Sequence, residues 1–280
     1  MDKMRLLLFM FVLAFAFPAN ASVRRALIFG LGMQKDTRWG KIHGDNDVYY
    51  VERMLRSAGY QDIVSLKNES ATKRAMVKAF VDLANRCGSG DLIYIHYSGH
   101  GQLMTDLDGD EATRWRGEHA KWDEAWIPYD AYMTYGSGDR GEKHLSDDEI
   151  AGLLTAIRRK IGQKGQITVV VDACHSGDAT CGGNDECVRG VDMKFNIPKI
   201  PGSGQMTAIA EQWRTISACK PYQLCTEIKE KRVGKLTYAL FCLGKEVLGM
   251  SNKQLESKLA EEMGKYKGRL MQNPVVSGKK

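Results

Sequence analysis

Short apolar runs alternating with segments of helical periodicity constrain this 280-residue chain more than any other feature. Ala26-Leu27-Ile28-Phe29-Gly30 follows a basic pair and reads as a buried strand. Residues 48–58 place Val51, Met54, Leu55 and Ala58 on one helical face, and Gly59 stands where that helix must stop. A strand at 63–66, a helix at 70–87 closed by Gly88 and a strand at 92–97 repeat the pattern. Ser146-Asp147-Asp148-Glu149 is a capping box that opens a helix running to Ile161. Residues 167–172 are nearly pure Val and Ile, as suits a strand buried on both faces of a parallel sheet. A strand at 215–218 and helices at 236–248 and 251–266 complete the series. Alternation of this kind predicts an α/β fold, with an open, mostly parallel central sheet of about six strands and helices on both faces.

Two segments break the alternation: 102–145, rich in Asp, Gly and Trp, and 177–212, rich in Gly and Pro. Long irregular segments in a compact domain are usually functional loops or linkers. Both begin just beyond a strand end, and open α/β sheets build their sites beyond the carboxyl ends of their strands. Trp115, Trp122 and Trp126 are expected to anchor the first of these loops to the body of the domain.

The chain begins with Lys3 and Arg5, an unbroken apolar run at 6–17, Pro18, and the small residues of Ala19-Asn20-Ala21. That is the pattern of a signal peptide, too short for a membrane span. The expected organisation is a signal peptide at 1–21 and a single domain at 22–280, exported to the periplasm or the medium. The net charge of +6 comes from basic residues interleaved with acidic ones, which argues against a nucleic-acid surface. All seven cysteines follow the leader, so export permits disulfides. Cys181 with Cys187, and Cys219 with Cys225, are close couples suited to pairing, although spacing alone fixes no connectivity. The odd count leaves a free thiol, which we assign to Cys174. No C-x-x-C pair and no matching histidine pattern point to zinc or to dithiol redox catalysis.

Two strand ends carry reactive side chains into glycine-flanked turns: His96-Tyr97-Ser98-Gly99-His100-Gly101 and Val171-Asp172-Ala173-Cys174-His175-Ser176-Gly177. A cysteine is a nucleophile as its thiolate, and a neighbouring imidazole takes its proton. Cys174 as nucleophile and His100 as base need only meet in space, at equivalent ends of adjacent strands. His175 adjoins the nucleophile, but successive residues at a strand end point apart. Glycines at 99, 101 and 177 allow close backbone approach, and the amides of Gly101 and Cys174 are the candidate donors to an oxyanion.

These two motifs resemble those of the caspase-like cysteine peptidases, and specifically their metacaspase branch. The resemblance continues through Asp106-Leu107-Asp108-Gly109-Asp110-Glu111, Asp123-Glu124, Ile127-Pro128-Tyr129-Asp130, Ile216-Ser217-Ala218-Cys219 and Gly234-Lys235-Leu236-Thr237-Tyr238-Ala239-Leu240. The caspase signature Q-A-C-[RQG]-G is absent, and His100 and Cys174 lie further apart than the about 50 residues of caspases, an excess that the 102–145 loop supplies.

The resemblance implies an endopeptidase acting on peptide or protein substrates without a cofactor for its chemistry. Asp172 shares a strand face with Cys174, so its carboxylate should line the first substrate pocket and select Arg or Lys. Asp47 and Ser98 join it by resemblance, Asp47 having an alternative reading as a helix N-terminal carboxylate. Asp123, Asp147 and Asp148 match calcium ligands of the family, and clustered carboxylates suit that cation. The family's fourth carboxylate position is Cys181 here, so either Asp178 substitutes or the site is lost; Asp147 and Asp148 also serve as helix-capping acids. The Asp106–Glu111 run is not an EF-hand loop, because its glycine comes too early. Arg189, Lys194 and Lys199 are candidate sites for self-processing of a zymogen. The competing reading is a catalytically inactive binding or scaffold protein of the same fold. A single chain, rather than a dimer, is the expected state.

Overall fold

The computed structural model describes residues 22–111, 121–175, 187–198, 212–221, 223–266, 268 and 270–279. The expected signal peptide, Trp115, Asp178, Cys181 and Lys199 lie outside them.

A six-stranded sheet forms the centre, in the order β11-β8-β7-β3-β1-β2. Strands β1 (Arg24–Gly30), β2 (Asp62–Lys67), β3 (Leu92–Ser98), β7 (Gln166–Asp172) and β8 (Arg214–Ser217) run parallel, and β11 (Val275–Gly278) closes one edge antiparallel to β8. Alternate side chains leave opposite faces of a strand. Ala26 and Ile28 therefore pack under α1 (Gly44–Ser57), α4 (Lys235–Leu243) and α5 (Asn252–Met263). Leu27 and Phe29 pack under α2 (Lys73–Arg86) and α3 (Asp147–Ile161) on the other side. The α/β sheet with helices on both faces matches the reading of the sequence. The Ser146 and Glu149 capping box is formed, and Gly59, at φ +81°, takes the left-handed conformation just past α1.

Some boundaries and elements differ from expectation. The helix expected over 236–248 stops at Leu243 and continues as a 3₁₀ turn, Gly244–Leu248, because Gly244 is at φ +64°. Strand β11 had no sequence signal: it is four residues long, follows Pro274, and gains its partners only from β8. The 102–145 segment is not a plain loop. It contributes β5 (Trp122–Trp126) and β6 (Leu145–Ser146) to a small antiparallel sheet with β4 (Gly101–Thr105). Trp126 locks this sheet to the main core, stacking on Tyr97 at 4.6 Å beside Phe29 and Phe80. Trp122 is only half-buried and packs under the ammonium of Lys194.

Strand β3 pairs with β7 in a register that sets Ser98 opposite Asp172. His100 and Cys174 each lie two residues beyond that pair. The turn after β3 is held by Tyr97, whose hydroxyl donates to the His100 carbonyl at 2.5 Å and accepts the Ile127 amide at 2.9 Å. Replacing Trp126 by Ala should cost about 3–5 kcal/mol through a large buried cavity. Urea unfolding should show a lowered midpoint with an unchanged slope, and an unchanged midpoint would mean that the small sheet is not tied to the core in this way.

Candidate active site

At the carboxyl ends of β3 and β7, the chain itself fills the cleft beside Cys174. Residues 187–195 run through it, bridged to the chain on both sides. On one side Val188 bridges antiparallel to Thr226; on the other Gly190 bridges Gly101 and Phe195 bridges Met104. The Arg189 amide donates to the Cys225 carbonyl at 3.0 Å, and Glu227 donates its amide to the Cys187 carbonyl at 3.2 Å.

The Arg189 carbonyl accepts the Cys174 amide at 3.0 Å and the Gly101 amide at 3.2 Å. These are the two donors read from the sequence as an oxyanion cradle. The next residue must be small: a Cβ on Gly190 would meet Cys174 Sγ at 2.8 Å. The Arg189–Gly190 peptide bond therefore lies against the thiol. Cys174 itself is 2% exposed.

His100 is completely buried. Its Nε2 is 2.6 Å from the Gly40 carbonyl, which can only accept, so Nε2 carries the proton and Nδ1 is the basic nitrogen. That Nδ1 has no hydrogen-bond partner. Burial pushes the imidazole down to about 4, against the Gly40 contact that favours its charged form. Trp39 covers the ring at 5.3 Å. His175 instead faces Glu124, 3.4 Å away.

The Arg189 side chain fills the pocket expected to hold a basic residue. Its Nη1 lies 2.7 Å from Asp47 Oδ2 and 3.4 Å from Asp172 Oδ1, and also donates to the Asp172 carbonyl at 3.2 Å. Its Nε and Nη2 both reach Glu227 Oε1, at 3.1 and 2.9 Å. Asp47 comes from the first turn of α1, but turns inward: it accepts Ser98 Oγ, Thr237 Oγ1 and the Gly234 amide. Ser98 thus orients Asp47 and makes no hydrogen bond to the guanidinium. The close approach of α1 requires Gly44, where a Cβ would meet the Ser98 carbonyl at 2.5 Å. Thr237 holds Asp172 through its amide and hydroxyl, at 2.9 and 2.7 Å.

Burial works against every charge here. It would lower Arg189, but three carboxylates more than offset it and hold the guanidinium well above its ordinary value. Burial would raise Glu227; the charge of Arg189 and the contacts from His43 prevail and hold it down to about 2. For Asp47 burial prevails over Arg189, with Asp172 and Glu227 adding to it, and moves the group up to about 6. Three carboxylates share one cation, so the pocket is over-acidic even when full.

Glu227 escaped the sequence reading. It sits in β9 (Glu227–Ile228), a two-residue strand paired with β10 (Val233–Gly234), in a stretch without periodicity. Its only signal was an acidic residue soon after Ile216-Ser217-Ala218-Cys219. Of the two cysteine couples, Cys219 with Cys225 differs from expectation. Cys219 and Cys225 are free thiols, with sulfurs 3.0 Å apart. Cys187 is in a disulfide whose partner lies outside the described residues. Lys194 is clear of the pocket, over Trp122.

The expected calcium ligands do not converge as a trio. Asp123 groups with Asp106 and Asp110, and Asp148 with Asp108 and Asp110, while Asp147 enters neither group. The run set aside as no EF-hand thus supplies most of the carboxylates. Asp123 is 5% exposed and its Oδ1 has no hydrogen-bond partner. Burial, then Asp148, Asp106, Asp108 and Glu111, push it up to about 8. Asp147 is raised well above the carboxylate range by burial, then by Glu124, Asp123 and Asp148. An assembly this short of positive charge suits a hard cation. A cavity of about 690 Å³ opens beside it, lined in part by Asp108, Asp123 and Asp148.

Comparison with known proteins agrees with this architecture. The chain is 30% identical over 207 residues to metacaspase-1B of Aspergillus terreus, covering 70% of this chain and 49% of that one. It is 28% identical over 251 residues to metacaspase-1A of Neurospora crassa, covering 85% and 47%. The chain thus spans less than half the length of these relatives. Among solved structures, caspase-1 of Spodoptera frugiperda superposes with a TM-score of 0.59 at 13% identity, over 92% of this chain and 86% of that one. A Geobacter sulfurreducens protein, GSU0716, superposes with a TM-score of 0.61 at 18% identity, over 92% and 94%; both likenesses are of fold. Residues 24–180 match the metacaspase peptidase C14 domain, and the chain belongs to that family.

Proposed function

We propose that this chain is an exported cysteine endopeptidase that cleaves after Arg, and less readily after Lys, and that its first substrate is its own Arg189–Gly190 bond. The observation that carries the reading is the pose of Arg189: guanidinium among Asp47, Asp172 and Glu227, carbonyl on the amides of Gly101 and Cys174.

The chemistry follows from that pose. His100 Nδ1 takes the thiol proton, and the Cys174 thiolate attacks the carbonyl carbon of the residue held in the pocket. Charge developing on the oxygen is stabilised by the two amides already directed at it. His100 returns the proton to the departing amine, and the thioester is then hydrolysed by water that His100 activates. With Arg189 as the acyl group, the first turnover separates the chain at 189–190 and opens the pocket to other substrates.

The alternative, an inactive scaffold, treats Arg189 as a permanent plug. Intact-mass measurement separates the two. Wild type should convert to two fragments meeting at 189–190, while Cys174→Ala and Arg189→Gln remain whole at that bond. Uncut wild type under every condition, or a cut that survives Cys174→Ala, would favour the plug.

Preference for Arg follows from Glu227, which takes the Nε and Nη2 edge of the guanidinium; a lysine ammonium has no such edge. Glu227→Gln should lower kcat/KM on an Arg peptide by roughly 10-fold or more, for a loss of about 1.5–3 kcal/mol in a charge-assisted contact. The matched Lys peptide should fall less. An equal fall on both peptides would show that Glu227 does not discriminate.

We further propose that Asp106, Asp108, Asp110, Asp123 and Asp148 hold a calcium ion. A bound cation would neutralise carboxylates just after β4, in β5 and at the start of α3, and so firm the sheet that flanks residues 190–195. Calcium should raise the Tm of Cys174→Ala protein and accelerate cutting of wild type, and Asp123→Asn should lose both effects. Thermal shifts indifferent to calcium in both proteins would remove the site.

A further inference from the structure

The catalytic sulfur has company that the proposed peptidase mechanism does not use. Cys225 is completely buried, and its thiol donates to the Ala173 carbonyl at 2.9 Å, immediately before Cys174. Its sulfur also lies 3.0 Å from Cys219 Sγ, inside ordinary van der Waals separation. Cys174, Cys225 and Cys219 pack in one core cluster. The Cys225 thiol is raised well above its usual value by burial first, then by its contacts with the Cys174 and Cys219 thiols. Cys225 thus touches both of the other thiols. Those two differ in access: Cys219 is half-buried, whereas Cys174 is 2% exposed beneath Arg189 and Gly190.

We propose that Cys219, Cys225 and Cys174 form a thiol relay through which a hydroperoxide switches the peptidase off reversibly. Cys219, the end that solvent reaches, is the entry point. Its thiolate attacks the hydroperoxide, breaking the O–O bond, to give Cys219 sulfenic acid and an alcohol, or water from hydrogen peroxide itself. The Cys225 thiol then condenses with the sulfenic acid, forming a Cys219–Cys225 disulfide and releasing water. Thiolate attack by Cys174 on the Cys225 sulfur forms Cys174–Cys225 and expels Cys219 as thiolate, which recovers the proton that Cys174 gave up. Two thiols are oxidised and one peroxide is reduced in the whole sequence. A small dithiol such as dithiothreitol reverses it. The relay rests on Cys174 being the nucleophile, because only then does its capture by Cys225 stop turnover.

The test combines peptide mapping with activity. The self-cleaved enzyme is treated with hydrogen peroxide, alkylated without reduction, and digested for mass spectrometry. A Cys174–Cys225 linked peptide is expected, with loss of activity that dithiothreitol restores almost fully. Cys219→Ser should keep its untreated activity and inactivate several-fold more slowly. Cys225→Ser, referred to its own untreated activity, should lose the reversible component, because an oxidised Cys174 has no resolving thiol. Oxidised protein lacking any linkage of Cys225 to Cys174 overturns the relay. So does inactivation with equal rate and equal recovery in all three proteins. If the linkage forms while activity is unchanged, the nucleophile assignment fails and the switch with it. Because the linkage is read by mass, that failure is distinguishable from absence of the relay.

Discussion

One guanidinium held among three buried carboxylates ties the functional end of this molecule together. Arg189 joins the first turn of α1 through Asp47, the end of β7 through Asp172, and β9 through Glu227. Thr237 and the Gly234 amide secure the same acids from the start of α4. Such a buried assembly gains little over an apolar core, but losing its cation would leave charges stranded at a cost of several kcal/mol. The pocket therefore cannot stay dry and empty. It must hold a cation or admit water, and that constraint is the physical basis of the proposed preference for basic side chains.

The sheet supplies the second constraint. Because β3 and β7 are hydrogen-bonded neighbours in fixed register, their tips are equivalent in height, and the turns beyond Ser98 and Asp172 project side by side. Parallel strands buried on both faces leave no freedom to slip, since a shift of one residue would exchange the core faces. The precision of the site is thus inherited from apolar alternation in strands such as Leu92–Ser98, far from any reactive group.

Much of this was legible in the sequence. Period-two and period-3.6 patterns gave the central strands and their helices, and glycine-flanked strand ends indicated His100, Cys174 and Asp172. Strand β11 was not, because four residues behind a proline carry too little pattern, and an edge strand takes its identity from its neighbour. The small β4–β6 sheet was concealed by an acidic composition that reads as loop. Glu227 and Cys225 were hidden for a topological reason: each meets the site only because the chain returns across it many residues after Cys174. The carboxylates of Asp106 and Asp110 were judged by loop spacing, whereas their grouping depends on Asp123 from another strand.

The segment that fills the cleft is covalently continuous on both sides of Arg189, and downstream it is pinned by Phe195, fully buried beside His144 at 4.1 Å. A tethered ligand competes at an effective concentration on the order of millimolar or above. The proposed cut at 189–190 would accordingly be a first-order event, with a half-time independent of protein dilution. Progress curves against an external peptide would then begin with a lag of fixed duration at any enzyme concentration. The anchor at Phe195 would keep the new amino terminus close to the thiol, so that early turnovers take place in a cleft still partly lined by its former occupant.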